Sequence, residues 1–216
     1  MDSLDTIAAV CTGVGGAISI IRISGEEALE AGRRVWKGSL RLDKRNSRKM
    51  LLGQTLSLSG GDGEPAIAVY MPGPNSYTGD DVVEIHCHGG ALCAKKTLDA
   101  ALAAGARAAE PGEFTYRAFV NGKMDLTQAE AVADLISAHS EMALRLAERQ
   151  ISGRLKDSIN EIRNKLVNIL AECESRMDFP EEDLDWALPE NQAEEIKDIE
   201  RLQVAKGPCS GTALGL

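Results

Sequence analysis

The spacing of apolar residues changes character near Asp125. Before it, short apolar runs separated by Gly, Pro, Asn and Ser predict strands; after it, apolar residues recur at helical spacing. Residues 6–10 and 17–23 (AISIIRI) are two such runs on either side of the glycine loop Thr12-Gly13-Val14-Gly15-Gly16. Ser24-Gly25 closes the second run, and Ser24 is placed to cap a helix over EEALEAGRRVW. Residues 51–59 and 66–71 predict two strands joined through Gly60-Gly61-Asp62-Gly63 as a hairpin. Residues 81–88 predict a further strand, entered through the turn residues Gly73-Pro74-Asn75-Ser76 and ended by Gly89-Gly90. Residues 91–104 predict a helix stopped by Gly105. A short strand over 106–109 and a short helix over 114–120, closed by Asn121-Gly122, follow.

Asp125 and Gln128 have the spacing of a capping box in Asx form. Leu126, Ala129, Val132, Ala133, Leu135 and Ile136 begin an apolar stripe that Ile151, Leu155, Ile159, Ile162, Leu166 and Ile169 continue. One long helix or two are expected, with Gly153 as a break or weak point. Asp178-Phe179-Pro180 ends them, because proline disfavours helical geometry in the residue before it. A further helix is expected from 189 to about 203. The chain therefore reads as an α/β (α+β) part over 1–120 and an all-helical part over 121–202. A helical segment this long with one apolar stripe needs a partner surface.

Hydrophobic residues make up 44% of the chain and aromatic ones only 4%, so Ala, Leu, Ile and Val must build the core. The formal net charge of -9 argues against the chain as a whole being an electrostatic nucleic-acid binder. It leaves room for a local basic face. Residues 38–50 lack apolar periodicity except at Leu40 and Leu42 and read as an exposed loop or strand edge; a contact surface for RNA is the alternative. From Lys37 to Lys49, seven of thirteen residues are charged, six of them positive. Five dispersed cysteines (Cys11, Cys87, Cys93, Cys173, Cys209) without CxxC spacing fit reduced thiols better than a disulfide framework. No signal peptide or membrane-length apolar run is present in the sequence, and a cytoplasmic protein with no membrane partner is expected.

Alternation along 81–88 puts Glu84, His86 and His88 on one strand face and Val83, Ile85 and Cys87 on the other. The first face is either a solvated polar surface or a ligand site in which Glu84 accepts N–H donors from a flat heterocycle. A metal site is disfavoured, since two histidines supply two ligands and nothing nearby completes the set. Arg22 lies within an otherwise apolar strand. It is either an arginine with a packed stem or a rigid cation beside a cleft, suited to a carboxylate. The glycine loop has no Lys-Ser/Thr at Walker spacing and reads as a tight turn, not a phosphate cradle.

Several strings in series resemble the tRNA modification GTPase family MnmE, also called TrmE. They are Asp5-Thr6-Ile7, Ile20-Ile21-Arg22-Ile23-Ser24-Gly25, Pro72 through Gly79, Glu84 through Gly90, Pro111-Gly112-Glu113-Phe114 and Asn121 through Leu126. Gln128-Ala129-Glu130-Ala131 and Asp178-Phe179-Pro180-Glu181-Glu182 extend the likeness, which covers 1 to about 202. The resemblance implies an N-terminal domain similar to the tetrahydrofolate-binding aminomethyltransferase domain, which homodimerises and binds formyl- or methylene-tetrahydrofolate. It implies a helical domain interrupted by a GTPase domain, and joint modification of the tRNA wobble uridine with the flavoprotein partner MnmG (GidA). The folate-contacting residues it implies are Arg22, Glu84 and Lys123, with no catalytic residue and no metal ligand. GTP, magnesium and potassium belong to the GTPase domain. No GxxxxGK[ST] string occurs in this sequence, the glycine loop is one residue short of the family pattern, and residues 203–216 depart from it. A shortened family member is expected, with a folate-independent dimerisation scaffold as the alternative.

Overall fold

The computed structural model describes residues 5–178 apart from 14 and 57–62, together with 197. The chain divides into two compact units, 1–147 and 148–216.

The first unit is organised on a seven-stranded sheet. Its strands are β1 (Ile7–Val10), β2 (Ile18–Ser24), β3 (Trp36–Gly38), β4 (Leu51–Thr55), β5 (Pro65–Met71), β6 (Val82–His88) and β7 (Arg107–Ala108). They lie in the order β3-β4-β5-β6-β2-β1-β7, and every pairing is antiparallel except β1 with β7. The expected fold class is what the chain adopts: a mixed, mainly antiparallel sheet with helices, then a helical segment.

Helices α1 (Ala28–Val35) and α2 (Ala91–Ala103) pack on one face of the sheet, against β1, β2 and β6. Alternation is the cause. Ile21 and Ile23 of β2 and Val83, Ile85 and Cys87 of β6 turn to that face and are buried with Ala28, Ala31, Val35, Ala100 and Ala101. Each large aliphatic side chain removed from water there contributes about 1.5–3 kcal/mol. The small residues of both helices bring their axes close to the strands; a Cβ on Gly32 would meet the Val83 side chain at 2.8 Å.

Two elements differ from expectation. Ser24 does not cap α1: its buried hydroxyl pairs with Thr78 Oγ1 at 2.7 Å. The helix instead starts at Ala28, and the Glu27 N–H donates to Thr6 Oγ1 at 3.0 Å. Trp36 leaves the helix and opens β3, because its indole is needed in the core, where Nε1 donates to Ala66 O at 3.1 Å. The basic segment after β3 is the exposed loop expected, with a 3₁₀ turn at Lys44–Asn46 and Leu42 buried. The hairpin strands pair as expected, Leu51 opposite Ala68, while their turn lies outside the described residues.

Past the sheet come α3 (Glu113–Val120), α4 (Leu126–Ser137), α5 (Glu141–Ile151) and α6 (Arg154–Asp178). The capping box forms at α4: Asp125 accepts from the Gln128 N–H, and the Gln128 side chain accepts from the Asp125 N–H, both at 2.9 Å. Gly153, with φ +74, separates α5 from α6. A second break falls at 138–140, where the Ser140 hydroxyl accepts from the Ala143 N–H, so the expected one or two helices are three. The helix expected over 189–203 lies outside the described residues except at Lys197, which is helical.

Candidate functional site

Arg22 and Glu84 are 62 positions apart in sequence but directly opposite in the β2–β6 register. Since their flanking residues face α1 and α2, both side chains project from the opposite face of the sheet. Arg22 donates from Nε to Glu84 Oε1 at 2.9 Å, and its Nη2 lies 2.8 Å from the same oxygen. Both are largely shielded, with side-chain exposures of 22% and 16%. The geometry leaves Glu84 Oε2 without a guanidinium donor. His86, next on the same strand face, places Nε2 3.5 Å from Oε2, and this nitrogen is buried without a hydrogen-bond partner in the described structure.

Two aromatic rings complete the surroundings of Arg22. The guanidinium carbon lies 5.1 Å from the centroid of Tyr77 and 5.4 Å from that of Phe114. Both are within cation–π range, so the cation is held by its carboxylate and by ring faces together. Neither aromatic is a candidate on sequence alone. Tyr77 sits in a turn-rich string and Phe114 at a helix start, and only the tertiary fold carries them to Arg22.

The loop bearing Tyr77 is held at both ends. Asp81 accepts from the Gly73 N–H at 2.9 Å and from the Tyr70 hydroxyl at 2.7 Å. Burial first, then this bond to the Asp81 carboxylate, pushes the Tyr70 hydroxyl pKa far above the usual phenol range, so it stays a donor. Gly79 has φ +88, and a Cβ there would come within 2.9 Å of Asn121 Cβ. The close approach lets Asn121 Nδ2 donate to Thr78 O at 2.8 Å and Asp80 Oδ1 at 3.0 Å, tying the end of α3 to the Tyr77 loop.

Phe114 is placed by an ionic clamp. Glu113 is nearly fully buried, its side chain 1% exposed, and faces Arg107 Nη2 at 2.7 Å and Arg117 Nη2 at 3.2 Å. Arg107 and Arg117 both also pair with Asp5, ahead of β1, so the start of α3 is bound to the sheet. Burial pushes the Glu113 carboxyl up, but hydrogen bonds from Arg107, the Glu110 N–H and Arg117 outweigh it and hold its pKa below the ordinary range. The Arg107 hydrogen bond is the main reason that Asp5 is lowered too.

The structure thus joins Arg22 to Glu84. Lys123 is exposed on the turn after α3, its N–H donating to Ala118 O at 2.8 Å. Among the described residues no hydrogen bond or ion pair links its ammonium to Arg22 or Glu84. It lies two positions beyond Asn121, the residue that fastens this turn to the Tyr77 loop. No group of three His, Cys, Asp or Glu side chains is placed to hold a metal ion among the described residues.

A sheet domain with one charge-bearing face, followed directly in sequence by helices, defines the class: residues 6–123 match the family described as GTP-binding protein TrmE N-terminus, and residues 126–203 match the MnmE helical domain. The chain belongs to the MnmE (TrmE) family. It is 47% identical over 206 residues to the tRNA modification GTPase MnmE of Carboxydothermus hydrogenoformans, an overlap covering 92% of this chain and 45% of that protein. It is 44% identical to the proteins of the same name from Clostridioides difficile and Thermotoga maritima, with 92% and 93% of this chain and 44% and 43% of theirs covered. The chain spans less than half the length of these relatives.

Proposed function

We propose that this chain is the one-carbon-folate-binding and dimerising portion of a cytoplasmic tRNA wobble-uridine modification GTPase that works with an MnmG-type flavoprotein. The observation that carries the reading is the half-used carboxylate of Glu84. Oε1 takes both Arg22 contacts, and Oε2 remains on a shielded face with acceptor capacity. A pterin presents adjacent N–H donors on its amino-pyrimidinone edge, and an ionised carboxylate is the matching acceptor. The nearby Tyr77 and Phe114 rings offer apolar and π surface to a flat ring system. The folate tail ends in carboxylates, and exposed Lys123 is a suitable counter-charge for it. Formyl- or methylene-tetrahydrofolate supplies a one-carbon unit; the residues of this chain bind and orient it. GTP hydrolysis, with its magnesium and potassium, belongs to a domain that these 216 residues do not contain.

Calorimetry with formyl-tetrahydrofolate tests this. Micromolar binding to the native chain that disappears in Glu84→Ala supports the proposal. Equal binding by both, or none by either, contradicts it. Retained dimerisation with no ligand uptake favours the folate-independent scaffold.

A further inference from the structure

The segment between β3 and β4 is the most basic stretch of an acidic chain, carrying six cations and one carboxylate from Lys37 to Lys49 in a protein of net charge -9. A solvated loop of this composition would ordinarily be floppy. This one is built. Leu42 is only 2% exposed and joins the core. The Leu42 carbonyl accepts from Arg33 Nε at 2.7 Å, and the Arg41 carbonyl from Asn46 Nδ2 at 3.1 Å. The Arg48 N–H donates to Tyr70 O at 2.8 Å, fixing the far end against β5. The single acid, Asp43, accepts from the Asn46 N–H at 2.9 Å and forms no ion pair with these cations among the described residues.

Anchoring the backbone leaves the charges outside. Arg41, Lys44, Arg45 and Lys49 are exposed, and among the described residues their side chains make no ion pair and no hydrogen bond. Four free cations on a fixed scaffold repel one another and lower the stability of the fold unless an anion neutralises them. The arrangement suits a polyanion of regular charge spacing, whose bound counterions are released on contact. Arg48 is different: it donates to the carbonyl of Asn75, in the loop that carries Tyr77 beside Arg22. The basic segment and the Arg22–Glu84 site are therefore fastened to the same loop.

We infer that residues 41–49 form a landing surface for the phosphate backbone of an RNA, with Arg41, Lys44, Arg45 and Lys49 as the phosphate contacts and Arg48 as the tie that holds the surface beside the site. This rests on the tRNA-modification reading of the chain but not on its folate reading. It specifies sequence-independent contacts that position a folded RNA without reading bases.

The test is fluorescence anisotropy with labelled, unmodified transfer RNA and the full chain, over about 50–200 mM salt. The native chain binds, with log affinity falling linearly against log salt. The R41A/K44A/R45A/K49A variant binds at least tenfold more weakly at the low-salt end, and its slope is shallower by about 3, from roughly 0.7–0.9 per phosphate contact. K44E/R45E, which removes no side-chain hydrogen bond or ion pair, melts no lower than the native chain and shows the same loss of binding. A control with K95A/K96A on α2 binds as the native chain does. Absence of tRNA binding to the native chain, equal loss in the control, or binding of phosphatidylserine vesicles in place of tRNA overturns the inference. Formyl-tetrahydrofolate calorimetry on the fourfold variant separates the two readings, since unchanged uptake with lost tRNA binding leaves the folate site standing.

Discussion

At the scale of residues, the account depends on how Arg22 holds Glu84. Two nitrogens of one planar guanidinium meet a single carboxylate oxygen while two ring faces approach the cation. Lysine keeps the charge but has neither the fork nor the flat face. Arg22→Lys is therefore expected to weaken formyl-tetrahydrofolate binding by about 1.5–3 kcal/mol, the range for hydrogen bonds to charged groups, with little change in melting temperature. Calorimetry and a thermal melt on the same sample check it. The face assignment of Glu84 and His86 was legible in the sequence, because a strand alternates strictly and Val83, Ile85 and Cys87 fix which side is buried. Their pairing with Arg22 was not legible, because register between strands 62 residues apart is set by the whole sheet. Tyr77 and Phe114 were hidden for the same reason.

At the scale of elements, α3 is the piece whose position matters most, since its first turn carries Phe114 and the turn after it ends at Lys123. Its short apolar face gives little hold, and the Asp5–Arg107–Glu113–Arg117 clamp provides the rest. Removing Glu113 leaves Arg117, 6% exposed, without its buried counter-ion. Glu113→Ala is expected to cost about 3–5 kcal/mol in urea unfolding, as breaking one side of a buried pair does. The same clamp sets an acid limit. Both Asp5 and Glu113 have pKa values lowered by folding. A lowered carboxylate contributes stability that is fully present above its unfolded value, near 4, and is lost as pH falls through its folded value. Stability is thus expected to decline below about pH 4, more steeply in the native chain than in Glu113→Ala, as chemical unfolding across pH reads out. Only the Glu113–Arg117 link is local in sequence, four positions apart on one helix; Asp5 and Arg117 stand 112 positions apart. The α4 cap was visible, because Asp125 and Gln128 act locally. The missed break at 138–140 carries no Gly or Pro, only Ser140 as a cap.

At the scale of the whole molecule, the two units differ in how they are held. The sheet buries Ile21, Ile23, Val83, Ile85 and Tyr70 completely. The second unit leaves Ile159, Leu170 and Met177 more than half exposed. Regions with few buried apolar contacts open at low free-energy cost. Native-state hydrogen exchange is expected to show α5 and α6 exchanging well before β2, β5 and β6; equal protection would contradict this. The change of apolar period near Asp125 announced the helical region, since period is a local property. How its stripe is covered depends on surfaces beyond one helix, and a single sequence does not specify them. The most direct test of the central claim is a crystal structure of the chain with formyl-tetrahydrofolate. The account predicts the amino-pyrimidinone edge within hydrogen-bond distance of the Glu84 carboxylate, on the sheet face opposite α1 and α2. A ligand bound elsewhere, with the Arg22–Glu84 pair untouched, would contradict it.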